Sequence, residues 1–268
     1  MRTALTVAGS DPSGGAGIQA DLKTFAAFGV YGTSAVTAIT VQNTMGVVGV
    51  SPLAADLVTA QIEAVAGDIA IHATKVGMLA TAAIVEAVAA AILELDLPLV
   101  VVDPVLVSTS GERLLDEDGV RVLRAELLPR ALVVTPNIPE AAALAGILIR
   151  SDDDIREAAR RIHDMGPAAV IITGGHAPRP GAGGPKPEVV DLLFDGKAVY
   201  EFRTPRIETR HRHGTGCTFA SAVAAELALG HTLPEAAGLA QQYVAGALAH
   251  GIAIGHGPGP LNHFWERQ

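Results

Sequence analysis

The chain has 268 residues, of which 49% are hydrophobic and 18% are charged. This composition predicts one globular domain, residues 1–268, with a sizeable core, and it excludes a disordered chain. The formal net charge of −9 argues against a nucleic-acid-binding protein, because contact with phosphate backbones requires a basic surface. The start of the chain lacks a signal-peptide pattern, and the apolar stretch 82–93 is too short to cross a bilayer. We therefore expect a cytoplasmic protein that binds neither nucleic acid nor membrane.

Short β-rich runs alternate with alanine-rich helical stretches, which is typical of a parallel sheet covered by helices on both faces. The predicted strands are 5–7, 36–41, 75–76, 99–102, 132–134 and 169–172. The predicted helices are 17–28, 57–65, 82–93 with Thr81 as its cap, a short helix after Pro139, 152–165, and two long helices from Thr215 and Pro234. Two β-runs, 189–194 and 197–202, flank Asp195-Gly196, and this predicts an antiparallel hairpin attached to the sheet.

A glycine-rich segment, 8–17, follows the first predicted strand and opens the first helix. Its glycine spacing fits neither a dinucleotide fingerprint nor a Walker loop. At the carboxyl end of a strand, such a segment either lets a small ligand approach the backbone near Gly9 or allows close packing of the helix on the sheet. Asp21, one helical turn further on, faces either that ligand or the solvent.

Two segments further along carry side chains that suit a heterocycle. Gln42, at a strand end, offers a donor and an acceptor on one planar amide, which matches a ring nitrogen beside an amino group. Met78 follows the strand 75–76, and a thioether packs well on an aromatic ring. The alternatives are a surface glutamine and a core methionine, both of which are common.

Acidic and polar residues follow three of the apolar strands. Asp103 ends the strand 99–102 and points to the crevice where open α/β sheets bind ligands. Asn137 and Glu140 lie three residues apart at a helix start, and their oxygens suit either Mg²⁺ or a capping box. The segment 173–175 either shapes a nucleotide pocket or forms a plain turn.

The segment 213–217 reads His-Gly-Thr-Gly-Cys and begins a helix of small residues. Its glycines allow consecutive N–H groups to point one way, and the first helical turn adds unpaired donors, so the segment predicts an anion site. The same donors favour a thiolate, so we expect a lowered pKa for Cys217, which is the only cysteine. The alternative is a helix start with a buried structural cysteine.

Taken in order, these segments resemble the ribokinase superfamily, and within it the hydroxymethylpyrimidine and phosphomethylpyrimidine kinases of thiamine biosynthesis. The matching stretches are AGSDPSGGAGIQADLKTF (8–25), QNT (42–44), KVGML (75–79), VDPV (102–105), TPNIPEA (135–141), GGH (174–176), HGTGC (213–217) and GHGPGPLNHF (255–264). The resemblance implies a ribokinase-like three-layer α/β/α sandwich with a mostly parallel central sheet and an attached β-hairpin.

The resemblance also implies an activity and the roles of residues. The activity is ATP-dependent phosphorylation of 4-amino-5-hydroxymethyl-2-methylpyrimidine and then of its monophosphate, with Mg²⁺, by a homodimer. The implied pyrimidine pocket consists of Gln42, Met78, Asp21, Gly9 and the backbone of Val105. The implied phosphoryl site consists of Gly214, Thr215, Gly216 and Cys217, with Cys217 as the base. The implied ligands of the nucleotide and the metal are Asn137, Glu140, Thr173, Gly175 and Asp103, of which Asp103 and Glu140 hold the metal.

Some positions depart from the pattern of these kinases and keep alternatives open. Lysines that related chains often carry are replaced here by Thr109 and Thr173, and Arg210 or Arg212 could compensate. The glycine- and proline-rich segment 176–187 is expected to close over the nucleotide. A pyridoxal kinase is the nearest alternative, and a non-catalytic pyrimidine- or nucleotide-binding protein is the alternative from another class. A cysteine hydrolase is disfavoured, because no residue is evident that would orient a catalytic histidine.

Overall fold

The structure is a computed structural model that describes residues 1–107, 111–174 and 188–267. The strands are β1 Thr3–Ser10, β2 Tyr31–Asn43, β3 Gly46–Pro52, β4 Ala73–Val76, β5 Val100–Val102, β6 Val133–Val134, β7 Ala169–Ile172, β8 Glu188–Phe194 and β9 Val199–Pro205. The α-helices are α1 Gly17–Ala27, α2 Ala55–Ala66, α3 Ala82–Glu94, α4 Glu117–Val122, α5 Ile138–Ala145, α6 Asp152–His163, α7 Thr215–Leu229 and α8 Leu233–Ala249. A short 3₁₀ turn, Trp265–Arg267, lies near the end.

In the described part of the chain the strands form one sheet in the order β3-β2-β1-β4-β5-β6-β7-β8-β9. The strands from β2 to β7 in that order are parallel. Antiparallel pairing occurs only towards the two edges, where β3 joins β2 and the β8–β9 hairpin joins β7. The predicted parallel sheet and its attached hairpin are therefore confirmed.

Neighbouring residues of one strand face two different layers of helices, because side chains alternate along a strand. In β1, Leu5 faces the layer formed by α2 to α6, whereas Ala4 faces the layer formed by α1, α7 and α8. In β5, Val102 and Val101 divide in the same way. Strands buried on both faces read as continuous apolar runs, which is why they could be located from the sequence. The three-layer α/β/α sandwich is confirmed.

The structure also contains elements that the sequence did not predict. β3 is mostly half-buried or exposed, so it lacks the apolar run that marks the central strands. α4 contains a glycine and three charged residues in six positions, and Asp116 caps it by accepting the N–H of Gly119 at 2.6 Å. The predicted cap of α3 is confirmed, since Thr81 Oγ1 accepts the N–H of Ile84. No helix that the structure describes is both long and apolar enough to span a membrane.

The parallel strands end at one edge of the sheet, and the segments beyond them continue the hydrogen bonding. Gly77 donates its N–H to Val7, Asp103 to Val76, Thr135 to Val102, and Thr173 to Pro136, with N···O distances of 2.8–2.9 Å. This ladder carries the polar segments past the strand ends and holds them side by side. Open α/β sheets bind their ligands at this edge.

Helix α8 offers a test of how the end of the chain is held. A Cβ on Gly246 would overlap the indole ring of Trp265, whereas a Cβ on Gly238, in the same helix, would meet Phe202 at an ordinary 3.4 Å. Gly246→Ala should lower the free energy of unfolding by about 1–3 kcal/mol, because it overpacks the contact with the ring.

The matched variant Gly238→Ala should be neutral or stabilising, because alanine favours a helix over glycine by about 1 kcal/mol. Thermal denaturation of the two variants measures the difference. If Gly246→Ala were as stable as Gly238→Ala, the close contact with the Trp265 ring would be wrong.

Candidate active site

The amino terminus of α7 lies against the glycine-rich loop that follows β1. Gly214 caps the helix with φ of 87°, a left-handed conformation that favours glycine. A Cβ at this position would also overlap the carbonyl oxygen of Gly15. The two segments thus meet backbone to backbone. The first N–H groups of α7, at Thr215, Gly216 and Cys217, belong to a helical turn that leaves such donors unpaired within the helix.

Asp103 lies opposite this first turn. Its side chain is buried, and a Cβ added to Gly216 would stand 3.8 Å from Asp103 Oδ2. Among the described residues, Oδ2 has no hydrogen-bond partner. Burial raises the pKa of Asp103 to about 6, the negative charge of Asp21 adds to the rise, and the charge of Lys75 and a hydrogen bond from Cys217 oppose it. A buried carboxylate oxygen without a partner therefore faces the space in front of α7.

The expectation of a lowered pKa for Cys217 is wrong. Burial raises the pKa of the thiol to about 12, and the nearby charges of Asp103 and Asp21 act in the same direction. Lys75 and the N–H of Gly17 favour the thiolate, but they do not outweigh burial and the two acids. The local helix start predicted stabilising donors, whereas the fold adds two carboxylates from distant segments. The thiol is neutral at physiological pH.

Asp21 reaches neither the solvent nor the surface of a pocket, so its expected place in the lining of the pyrimidine pocket is wrong. It is fully buried and forms an ion pair with Lys75, also fully buried, at 2.9 Å. Thr6 Oγ1 and Ser221 Oγ donate to the same carboxylate at 2.6 and 2.7 Å. Burial opposes the charge of Lys75, but Asp21, Cys217 and Asp103 raise its pKa above the usual value. Lys75 is thus a buried cation directly behind the site, which the sequence reasoning missed.

Asn137 and Glu140 form the expected capping box at the start of α5. Asn137 Oδ1 accepts the N–H of Glu140 at 3.0 Å, and Glu140 Oε2 accepts the N–H of Asn137 at 2.9 Å. Glu140 is also buried, and burial together with the charge of Asp103 raises its pKa to about 8. Two buried acids therefore repel each other at the sheet edge.

This pair of acids fits a divalent cation. Within the described ranges, no group of three or more His, Cys, Asp or Glu side chains could hold a metal ion. Mg²⁺ needs fewer protein ligands, because it commonly binds one or two carboxylates and keeps water and substrate phosphates as its other ligands. The partnerless Oδ2 of Asp103 and the repulsion between Asp103 and Glu140 suit an ion of this kind.

The expected pyrimidine side of the site lies on β1, β2 and the segment after β4. Met78 is buried beside the backbone of Gly9, where an added Cβ would lie 3.3 Å from the Met78 sulfur. Thr37 fixes the Met78 backbone by donating its hydroxyl to the carbonyl at 2.6 Å. Val105 is half-buried and donates its N–H to the carbonyl of Asp103. Gly9 and Met78 are therefore neighbours, and Val105 lies beside Asp103.

A histidine and an aspartate to which sequence reasoning gave no role in the kinase site connect this side to α7. His213 Nε2 lies 2.8 Å from Asp11 Oδ2 and 3.4 Å from the terminal amide of Gln42. Asp11 also accepts N–H groups from its own loop, at Ser13, Gly15 and Ala16. The only sequence signal for this role was that Asp11 lies in the segment 8–25 and His213 in the segment 213–217, both of which match the related kinases.

The expected nucleotide side lies at the end of β7. Thr173 pairs with Asn137 through a parallel bridge, and Gly174 donates its N–H to Asp191 Oδ1 at 2.7 Å. The turn is thus anchored to both β6 and β8. Gly175, Thr109 and the segment 176–187 lie outside the described residues, so the structure does not bear on their expected roles.

The fold and this site define an α/β phosphotransferase. A helix start with N–H groups that have no partner within the helix faces a buried acid at the carboxyl edge of a parallel sheet, and such donors suit charge stabilisation in phosphoryl transfer. The sequence profile of the family described as phosphomethylpyrimidine kinase matches residues 11–262. The chain belongs to this family, and it is a kinase with a ribokinase-like fold.

Individual relatives are similar in sequence to this chain over almost its whole length. The hydroxymethylpyrimidine/phosphomethylpyrimidine kinase of Bacillus subtilis is 46% identical over 97% of this chain and 94% of its own. The kinase of the same name from Synechococcus elongatus is 49% identical over 98% and 97%. Among solved structures, an ADP complex of Bacillus subtilis pyridoxal kinase has a TM-score of 0.88 and 39% identity, covering 100% of this chain and 99% of that chain. Phosphomethylpyrimidine kinase of Clostridium difficile has a TM-score of 0.79 and 40% identity, with coverage of 91% and 98%.

The buried ion pair gives a test of the electrostatics. Lys75→Met should lower the free energy of unfolding by about 3–5 kcal/mol, because it leaves the Asp21 carboxylate buried without its cation. The double variant Lys75→Met/Asp21→Asn removes both charges and should recover part of this loss. Urea denaturation measures both.

Arg113→Ala is the control, because it breaks an exposed pair with Glu117 whose N···O distance is 3.3 Å. Such surface pairs contribute little, so this variant should unfold as the wild type does. A Lys75→Met protein as stable as Arg113→Ala would show that the ion pair is not buried as described.

Proposed function

We propose that the chain transfers the γ-phosphoryl group of ATP to the hydroxymethyl group of 4-amino-5-hydroxymethyl-2-methylpyrimidine and then to the resulting monophosphate. In the first step the substrate oxygen bonds to the γ-phosphorus, the bond to the bridging oxygen of ADP breaks, and the hydroxyl proton passes to the solvent. The observation that best supports this is the convergence of α7, Asp103 and Gln42 at one edge of the sheet. The names of the relatives at 46–49% identity support the substrate.

In this proposal Gln42 binds the ring nitrogen and the amino group through its planar amide. Met78 packs on the ring, and the absence of a side chain at Gly9 leaves room beside it. The backbone of Val105 completes the pocket next to Asp103. The adjacency of Gly9 and Met78 and the half-buried position of Gln42 support this arrangement.

The transferring phosphoryl group is proposed to bind at Gly214, Thr215 and Gly216. Phosphoryl transfer depends mainly on positioning and on stabilisation of charge on the equatorial oxygens. Unpaired N–H groups at a helix start supply donors that are already oriented. Gly216 is exposed, whereas the neighbouring Asp103 is buried. The exposure of Gly216 supports an open path for the phosphoryl group to the helix start.

The role of Cys217 follows from its raised pKa. A neutral thiol does not accept a proton, so we propose that Cys217 orients the substrate hydroxyl by hydrogen bonding instead of acting as a strong base. In a loose transition state the attacking oxygen has formed little of its new bond, so a positioned partner suffices. The helix start keeps the thiol in place beside the phosphoryl site.

Asp103 and Glu140 are proposed to hold Mg²⁺, with Asn137 and Thr173 on the side of the nucleotide phosphates. When bound, Mg²⁺ would neutralise charge on the phosphates. The bridge between Thr173 and Asn137 supports a shared surface for ATP. Structures of pyridoxal kinases from Bacillus subtilis and Staphylococcus aureus, at 39% and 36% identity, are complexes with ADP, which supports ATP as the phosphoryl donor here.

A second candidate substrate is a pyridoxal-type alcohol. The Staphylococcus aureus pyridoxal kinase structure with ADP has a TM-score of 0.89 and covers 100% of this chain. The amide of Gln42 favours the aminopyrimidine, because a donor and an acceptor match its adjacent amino group and ring nitrogen.

The remaining proposals concern the molecule as a whole. We propose that residues 1–268 act as one domain, in the cytoplasm and as a homodimer, without binding nucleic acid or membrane. The continuous sheet supports one domain. The net charge of −9 supports the absence of nucleic-acid binding.

Product analysis by mass spectrometry tests the proposed reaction. After incubation with ATP, Mg²⁺ and the hydroxymethylpyrimidine, the expected products carry one and then two added phosphates, and a parallel reaction with pyridoxine should be slower. Cys217→Ala should lower kcat about 100-fold while changing the KM for the pyrimidine little.

Cys217→Ser should retain more activity than Cys217→Ala, because a hydroxyl can still orient the substrate. Absence of any phosphorylated pyrimidine would overturn the proposed function. Full activity of Cys217→Ala would overturn only the role of the thiol, and faster turnover of pyridoxine would favour the second candidate.

A further inference from the structure

Four polar side chains from three segments form a continuous chain beside the proposed pyrimidine pocket. Asp11 Oδ2 lies 2.8 Å from His213 Nε2, which lies 3.4 Å from Gln42 Nε2. The other terminal atom of that amide, Oε1, lies 3.1 Å from Thr40 Oγ1. Thr40 in turn lies 2.9 Å from the backbone carbonyl of Ser10. Both ends of the Gln42 amide therefore have a defined neighbour.

The hydrogen on His213 is assigned by Asp11. Burial disfavours the Asp11 carboxylate, but hydrogen bonds from His213, Ser13 and Ala16 lower its pKa to about 2, so it is ionised. An ionised carboxylate only accepts hydrogen bonds, so His213 Nε2 carries the hydrogen and donates it. This nitrogen has no lone pair left for a donor. An N–H of Gln42 would therefore meet the N–H of His213, whereas the amide oxygen can share its hydrogen with Asp11.

The hydrogen on Thr40 is assigned by Ser10 in the same way. A backbone carbonyl only accepts, so the single hydroxyl hydrogen of Thr40 is donated to Ser10. The Thr40 oxygen then has only lone pairs to offer to Gln42. The atom of Gln42 that faces Thr40 must be a donor.

Both hydrogen assignments reverse the placement of the two amide atoms given above. We infer that Asp11, His213 and Thr40 are positioning residues that hold the Gln42 amide turned by 180° from that placement, with its oxygen towards His213 and its nitrogen towards Thr40. Amide oxygen and nitrogen are similar in size, so the neighbouring hydrogens decide between the two orientations. The Thr40 end requires the amide nitrogen and the His213 end disfavours it, so the two ends agree. Gly15 makes room for this arrangement, since a Cβ there would overlap the His213 ring.

The fixed orientation determines the substrate pattern that Gln42 can read. This consequence rests on the proposed function, in which Gln42 binds the pyrimidine. One oxygen lone pair and one N–H of the amide stay free, in a fixed order, and they match an amino group next to a ring nitrogen. A ring with the reverse order has an oxo group next to a ring N–H. It would place an acceptor against the amide oxygen and a donor against the amide N–H. Mismatched buried polar groups cause strong discrimination.

Calorimetric titration of two small molecules tests this inference. They are 4-amino-5-hydroxymethyl-2-methylpyrimidine and its 4-oxo analogue, which reverses the donor and acceptor order. The wild type should bind the amino compound about 100-fold more tightly. Thr40→Val and His213→Leu should each reduce this ratio about threefold, and the double variant about tenfold or more, because an amide without anchors can rotate to fit the 4-oxo ring.

Two further variants separate positioning from general damage. Thr40→Ser keeps the hydroxyl and should restore the wild-type ratio. Thr33→Val, in the same strand, removes a buried hydroxyl that donates to the Ala4 carbonyl, far from the amide, and should leave the ratio unchanged. General damage weakens both ligands together, so only loss of orientation lowers the ratio.

The outcomes distinguish this inference from the proposed function. If the wild type binds neither pyrimidine, the proposed function fails. If the wild type prefers the amino compound and all variants keep the same ratio, the inference is wrong while the proposed function stands. A ratio that falls in Thr33→Val as much as in Thr40→Val would also overturn it.

Discussion

The site depends on the close approach of two backbone segments, Gly214 at the start of α7 and Gly15 in the loop after β1. A side chain at Gly214 would overlap the Gly15 carbonyl, and a side chain at Gly15 would overlap the His213 ring, so the close approach needs glycine at both positions. This contact places the first turn of α7 over the carboxyl edge of the sheet. It also brings His213 to Asp11 and Cys217 to the N–H of Gly17. Groups some 200 residues apart thereby become one site.

Acidic groups outnumber basic groups around that contact. Lys75 is surrounded by Asp21, Asp103 and the Cys217 thiol, and its own charge is already engaged by Asp21. The pKa values of Asp103, Glu140 and Cys217 are all raised, in each case chiefly by burial. This excess of acidic groups favours the binding of a cation between Asp103 and Glu140. The helix start beside them favours an anion, so the site suits the two partners as a pair, as a metal-bound nucleotide would supply them.

Local patterns in the sequence predicted what depends on local interactions. The apolar runs located the central strands, and the spacing of Asn137 and Glu140 predicted the capping box. β3 was missed because its half-exposed residues carry no such run. Asp21 was misplaced because its three partners, Thr6, Lys75 and Ser221, come from β1, β4 and α7, and a carboxylate one turn into a helix does not reveal them.

The prediction of a lowered pKa for Cys217 was wrong for the same reason. The helix start was visible in the sequence, but the carboxylates of Asp103 and Asp21 reach the thiol only in the folded chain. The pairing of His213 with Asp11 is likewise a contact between residues 202 positions apart. Sequence motifs marked which segments meet at the site, whereas the direction of each pKa shift required the long-range contacts.

The measurement that tests this account most directly compares Gly214→Ala with Gly230→Ala. The two glycines lie at opposite ends of α7 with φ of 87° and 102°, so alanine causes similar backbone strain at both, but an added Cβ meets nothing within 4 Å at Gly230. Thermal denaturation with and without the hydroxymethylpyrimidine should show that Gly230→Ala loses only a few degrees and is still stabilised by the ligand. Gly214→Ala should lose more and gain nothing from the ligand. Equal losses, with ligand stabilisation kept in both variants, would contradict the claim that this backbone contact assembles the site.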